Sequence, residues 1–132
     1  MGLASATLRV ARSTDRMDEV TAFYVNGLGL EQLAAFEDHA GFDGVVLGAR
    51  GGPYHLEFTR RRGHPSGATP DPESLLVFYL PDRSEWHAAV ARLRALGAEP
   101  VASQNPYWDR DGLTFTDPDG FRVVLQNTAW LL

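Results

Sequence analysis

His55 and Glu57 are the residues whose types and spacing point most directly to chemistry. Two positions apart on an extended segment, they project to the same side of a sheet. An imidazole and a carboxylate so placed can share a divalent metal ion or pass a proton between them, since histidine titrates near neutral pH. They can equally form a plain hydrogen-bonded couple, and the residues alone leave these alternatives open. The other histidines lack such company. His39 follows Asp38 in a loop, His64 lies in a stretch rich in Pro and Gly, and His87 lies on a helical segment. All three read as surface positions. A second distinctive feature is the loop 105–112, "NPYWDRDG". Tyr107 and Trp108 either close over an apolar ligand, supplying large area at small cost in side-chain entropy, or plug the core while Asn105 and Asp109 hold the turn.

The elements that must position these groups are legible in the apolar periodicity. Met17, Val20, Phe23 and Tyr24 recur at helical spacing, with Asp15 as a candidate cap and Asn26-Gly27 as the stop. Trp86, Ala89, Val90, Leu93 and Leu96 make a second helical stripe, opened by Asp82 with Glu85 three residues on and closed by Gly97. Strands are predicted over 6–11, 31–36, 43–47 and 54–60, then over 75–80, 98–102, 112–116 and 121–126, with Gly- and Pro-containing turns between them. The order is therefore strand, helix, three strands, repeated across a linker at 61–73. Each half alone would leave one sheet face uncovered, so the two should pair around a shared concavity. We expect an α+β fold in a single domain, 1–132, with modules at about 4–60 and 74–128. Strand alternation puts Tyr54, Leu56 and Phe58 beneath the helices and His55, Glu57 and Thr59 on the opposite face, toward the cavity. Thr7 and Arg9, Leu75, Val77 and Tyr79, and Arg122, Val124 and Gln126 join that face by the same parity. A carboxylate and an arginine on neighbouring strands serve a ligand or pair with each other.

Composition narrows the function. The 132 residues contain no cysteine, which excludes disulfides, thiolate zinc sites and cysteine nucleophiles. The formal charge is −5, and all 12 basic residues are arginine. An acidic surface disfavours nucleic acid and anionic membrane partners and suits a small organic molecule, with a weak preference for a cationic one. No stretch of about 18 apolar residues offers a membrane span. The opening residues 1–10 lack a cationic leader followed by an apolar run, so a cytoplasmic location is expected. The tail 128–132 carries Trp130, Leu131 and Leu132, which either meet a second copy in a homodimer or fold back on their own domain.

Four segments carry a family resemblance. "RMDEVTAFYVNGLGL" at 16–30, "GPYHLEF" at 52–58, "LLVFYLPD" at 75–82 and "GLTFTDPDGFRVVLQN" at 112–127 together resemble the vicinal oxygen chelate superfamily of glyoxalases, bleomycin-resistance proteins and ring-cleaving dioxygenases. The resemblance implies two paired β-α-β-β-β modules forming an open, curled mixed sheet around a cavity. It also implies metal ligands on the first and last strands of each module. Those positions fall here on Ser5 (with Thr7 nearby), Glu57, Leu75 and Val124. Only Glu57 is a certain donor, whereas a catalytic dication usually takes three or more from the protein. The expectation is thus a small-molecule-binding protein of bleomycin-resistance type with a degenerate metal site and no cofactor. Its ligand contacts would be His55, Glu57, Tyr79, Tyr107, Trp108, Arg122 and Gln126. The alternative is a metal-dependent lyase, isomerase or dioxygenase with an altered divalent site near His55 and Glu57, completed by Ser5, Thr7 or a partner subunit. A third reading is a dimeric module with a filled barrel and no ligand. Elemental analysis of protein made in metal-replete medium should find far less than one metal ion per chain, unchanged in Glu57→Ala; near-stoichiometric metal that disappears in the variant would establish the alternative.

Overall fold

The computed structural model describes residues 2–130. One compact unit takes in the chain up to Val25 together with Gly29–Ala68; the other takes in Asn26–Leu28 and the chain from Thr69. Both are built around a parallel strand pair with a helix between its members.

The first unit is a four-stranded sheet in the order β1-β4-β3-β2. Its strands are β1 (Leu8–Ser13), β2 (Glu31–His39), β3 (Phe42–Gly48) and β4 (Tyr54–Arg61), with α1 (Met17–Ala22) after β1. β1 runs parallel to β4, and the other pairings are antiparallel. β1 begins at Leu8 rather than at residue 6; residues Gly2–Ser5 instead form a 3-10 turn, closed by the Ser5 hydroxyl donating to the Gly2 carbonyl at 3.2 Å. The helical stripe at Val20, Phe23 and Tyr24 is almost wholly buried. Tyr24 packs on Phe58 with ring centroids 4.9 Å apart, and Leu56, Leu47 and Val45 share that face through the register Leu47↔Leu56 and Val45↔Phe58. After Ala22 the helix loosens into one π turn, Phe23–Gly27, which takes in the predicted stop at Asn26-Gly27. Asp15 does not cap α1. Arg16 holds the N-cap position without a side-chain capping hydrogen bond, and the Asp15 carboxylate accepts instead from the Ser66 backbone N–H.

The second unit is a three-stranded sheet in the order β5-β7-β6, made of β5 (Leu75–Tyr79), β6 (Gly112–Thr116) and β7 (Arg122–Gln126). β5 and β7 are parallel and β6–β7 is an antiparallel hairpin. Its turn is set by Asp117, whose Oδ1 accepts from the backbone of Asp119 at 2.9 Å and of Phe121 at 3.0 Å, and Gly120 takes the left-handed conformation at φ +89°. α2 (Arg83–Ala95) starts where expected: the Asp82 side chain accepts from the Glu85 N–H at 3.0 Å, and Gly97 ends it at φ +87°. Ala89, Val90 and Leu93 are buried beneath it, while Leu96 at the end of the stripe is exposed. Trp86 anchors the helix to the sheet by donating to the Leu125 carbonyl at 2.9 Å.

One predicted strand is reduced to a single bridge. In 98–102 only Val101 pairs, its N–H donating to the Thr114 carbonyl at 2.8 Å. Pro100 has no N–H to continue a ladder along β6, and the next hold on β6 is a hydroxyl pair between Ser103 and Thr114. Both sheets are thus mixed and unclosed, in an α+β arrangement of seven strands and two α-helices among the described residues.

Candidate functional site

The register of β1 with β4 brings a small polar group together. Arg9 lies opposite His55, Ala11 opposite Glu57 and Ser13 opposite Thr59. Directly paired residues point to one side of a sheet, so these six share the face opposite α1. The buried Leu56 and Phe58 alternate with them on the other side, as the parity required. Arg9 extends between the two candidate groups. Its Nη1 stands 3.6 Å from Glu57 Oε2, and its Nη2 stands 3.5 Å from His55 Nδ1. A guanidinium only donates, so in this contact His55 Nδ1 can act only as the acceptor.

Two consequences follow for chemistry. The carboxylate at the superfamily's ligand position already faces a cation belonging to the chain itself. The pair is also open to exchange: the Arg9 side chain is 47% exposed and that of Glu57 19%, and an ion pair of this kind contributes at most about 1 kcal/mol. Arg9 is therefore held loosely enough to turn toward a ligand carrying an acceptor, leaving Glu57 to receive a donor.

The other metal-ligand positions offer little. Ser5 is exposed in the 3-10 turn ahead of β1, and Thr7 is exposed between the two. Leu75 and Val124 are apolar positions on β5 and β7. Among the described residues no group of three or more His, Asp or Glu side chains gathers at a spacing that could hold a metal ion.

In the second unit, Leu75, Val77 and Tyr79 on β5 and Arg122, Val124 and Gln126 on β7 share one face through their pairing, as parity predicted. Their side chains are differently engaged. Gln126 is buried, and its Nε2 donates to the Trp108 carbonyl at 2.9 Å. Arg122 Nη1 donates to the Ala102 carbonyl at 3.0 Å. Tyr79, partly exposed, meets Trp130 with ring centroids 6.2 Å apart. Of the apolar tail, Leu131 and Leu132 lie outside the described residues.

Tyr107 and Trp108 sit on a 3-10 turn, Pro106–Asp109, capped by the Asn105 side chain accepting from the Tyr107 N–H at 3.0 Å. The Asp109 carboxylate accepts from the Ser103 N–H. The two aromatic residues diverge in role. Tyr107 is 52% exposed with the Arg110 guanidinium 5.9 Å from its ring, whereas Trp108 is half-buried and lines a recess of about 90 Å³ with Leu75, Glu73 and the segment 103–105. That volume is below the ~300 Å³ of ordinary ligand pockets. The Gln126–Trp108 tie escaped sequence reasoning because its acceptor is a backbone carbonyl, which leaves no side-chain signature.

Comparison with known proteins agrees with this architecture. Profiles of the YycE-like N-terminal and C-terminal domains match residues 8–59 and 73–127. Bacillus subtilis YycE, an uncharacterised protein, is 44% identical over 124 residues, spanning 94% of this chain and 89% of the relative. A crystal structure of a YycE protein of unknown function from Bacillus subtilis, a candidate glyoxalase/fosfomycin resistance protein, matches with a TM-score of 0.89 at 42% identity over 96% of this chain and 93% of that one. The fold alone is shared with Leishmania major glyoxalase I (TM-score 0.71, 20% identity, 92% and 86% covered) and with TnmS3, an antibiotic binding protein from a Streptomyces species (0.65, 23%, 96% and 97%).

Gln126→Met keeps the side-chain bulk but leaves the Trp108 carbonyl without its donor. Urea denaturation should register a loss of about 1–3 kcal/mol, and amide exchange should accelerate over residues 103–111; unchanged exchange there would show that the turn is held by its caps alone.

Proposed function

The chain belongs to the YycE-like family within the vicinal oxygen chelate superfamily, and from that premise we propose that it is a cytoplasmic small-molecule-binding protein of glyoxalase/bleomycin-resistance type whose metal site has degenerated. The single observation that carries this reading is the Arg9 guanidinium 3.6 Å from the Glu57 carboxylate. A chain-borne cation there performs the charge neutralisation that a dication would otherwise perform, without offering an open coordination position. In the first unit the ligand is an organic molecule whose polar group meets Arg9, His55 and Glu57; in the second unit Tyr79, Tyr107, Trp108, Arg122 and Gln126 are the candidate contacts, taken by themselves. Gln126 and Arg122 act mainly by holding the backbone at Trp108 and Ala102, to which they are bonded. That TnmS3, on the same fold, is an antibiotic binding protein is consistent with a binding role. No helix among the described residues is long and apolar enough to cross a membrane.

The second reading, a lyase, isomerase or dioxygenase using a divalent metal, draws on His55 and Glu57 sharing a face. It needs Arg9 to swing away and donors from elsewhere, such as a partner subunit. A homodimer belongs to both readings. Trp130, 64% exposed against Tyr79, gives the second unit an apolar surface patch suited to a second copy.

A thermal-shift screen of antibiotics, bleomycin and fosfomycin included, should yield a ligand whose affinity is unaffected by EDTA. Arg9→Met should weaken a ligand of the first unit about tenfold, roughly 1.4 kcal/mol, and Trp108→Ala should weaken a ligand of the second unit by about the same factor, while both variants stay folded. Affinity lost on chelation would transfer the protein to the metal-dependent reading. Sedimentation velocity should show a two-chain species, reduced toward one chain by Trp130→Ser; a monomer at all concentrations would remove the dimer from the proposal.

A further inference from the structure

At the far end of β4 the first unit holds a second, larger recess of about 330 Å³, within the size range of small-molecule sites. Its walls come from the end of β1 (Ser13 to Asp15), from Phe42 at the start of β3, from Arg60 and Arg61 closing β4, and from the returning chain at 64–67. Arg9, His55 and Glu57 are not among its walls; of the face they share, only Ser13 reaches it.

The recess is fastened from within. Both Asp15 carboxylate oxygens accept from the Ser66 N–H at 3.0 Å, and the Ser13 and Ser66 hydroxyls stand 2.6 Å apart. The Ser66 hydroxyl also accepts from the Ala68 N–H at 3.2 Å. These bonds clamp the returning chain against β1, so the cavity is shaped before any ligand arrives, which lowers the ordering cost of binding.

Charge then distinguishes it. Residues 60–62 are three consecutive arginines in a chain whose net charge is −5. Arg62 is committed elsewhere: it pairs with Asp43 at 2.8 Å and with Asp38 at 3.6 Å, and its hydrogen bond holds the Asp43 carboxyl below the usual carboxylate range. Arg60 reaches Asp43 only through a longer-range attraction. The Arg61 side chain makes no hydrogen bond or ion pair among the described residues. Arg60 and Arg61 both line the recess; consecutive on β4, they leave it on opposite faces, Arg61 on that of its partner Phe42 and Arg60 on that of Asp43. Asp15 is the one carboxylate in its walls, already engaged by Ser66, and His64 adds an imidazole whose Nδ1 stands 3.2 Å from the Arg62 carbonyl. Between the charges lie the partly exposed Phe42 ring and Pro65.

We propose that this recess binds a small organic anion, its phosphate or carboxylate held by Arg61 with Arg60 adding positive charge, and its apolar body lying against Phe42 and Pro65. Guanidinium forks match the paired oxygens of either group. The inference goes beyond the ligand site around Arg9 and does not depend on it.

The test is an amide chemical-shift titration of the full chain with phenyl phosphate, benzoate and inorganic phosphate. Shifts confined to residues 13–15, 42 and 60–67 are expected with at least one aromatic anion. Phenyl phosphate alone would mark a phosphate ligand, benzoate alone a carboxylate. The double substitution Arg60→Gln/Arg61→Gln, at two exposed positions, should weaken binding at least tenfold, and Phe42→Ser should weaken the aromatic probes while leaving inorganic phosphate unchanged. Absence of these shifts up to about 10 mM probe, or equal affinity in the double variant, would overturn the proposal. Because Arg9→Met leaves this recess intact, loss of binding at one site and not the other separates the two hypotheses.

Discussion

The parallel pairing of β1 with β4 governs what the first unit can do. Leu56 and Phe58 must lie under Tyr24 for that core to close, and strand alternation then forces His55 and Glu57 to the opposite face. A slip of one residue would bury the carboxylate and expose the phenyl ring, at a cost of several kcal/mol. Hydrophobic burial on one side of the strand therefore sets the register on which the polar chemistry of the other side depends. The same pairing sets Arg9 opposite His55 and within reach of Glu57. No loop or ligand is required to assemble the group.

Charge within that frame is distributed in short, local pairs. Arg9 with Glu57 and Arg62 with Asp43 and Asp38 each neutralise a carboxylate near a strand. An all-arginine basic set suits this role, because the guanidinium keeps its charge and bridges two acceptors at once, as Arg9 and Arg62 do. Arg60 and Arg61 break the pattern. Their lack of close partners concentrates positive potential at one end of β4 in an otherwise acidic protein.

The second unit repeats the parallel pair and helix but handles its sheet edge differently. Where the first unit adds a long hairpin, β2–β3, the second places Pro100 beside β6 and satisfies only one further N–H, that of Val101. The chain is then free to turn through 103–109, where Asn105, Asp109 and Gln126 hold the aromatic turn by hydrogen bonds. A shortened edge strand and a well-tied loop are two sides of one local solution, since an unpaired β edge would otherwise present open backbone groups.

Much of this was legible in the residues. The two helical stripes, the Asp82 cap and the Asp117–Gly120 turn depend on contacts a few positions apart, so local spacing determines them. The shared face of His55 and Glu57, and that of Leu75 through Gln126, followed from period-two alternation alone. The family was readable from four short segments, and so was the absence of donors at Leu75 and Val124. Other features required the chain to be folded. Asp15 precedes a helix and looks like its cap, yet its carboxylate is taken by Ser66, 51 positions away. Segment 98–102 has strand-like composition, but whether it pairs depends on which backbone N–H groups meet β6, and Pro100 supplies none. Arg60, Arg61 and Arg62 are identical in sequence terms; only the tertiary placement of Asp38 and Asp43 ties one of them and leaves the other two at the rim of a cavity. Local sequence determines the direction in which a side chain leaves the backbone, whereas its partner is chosen by distances that exist only once remote strands have come together.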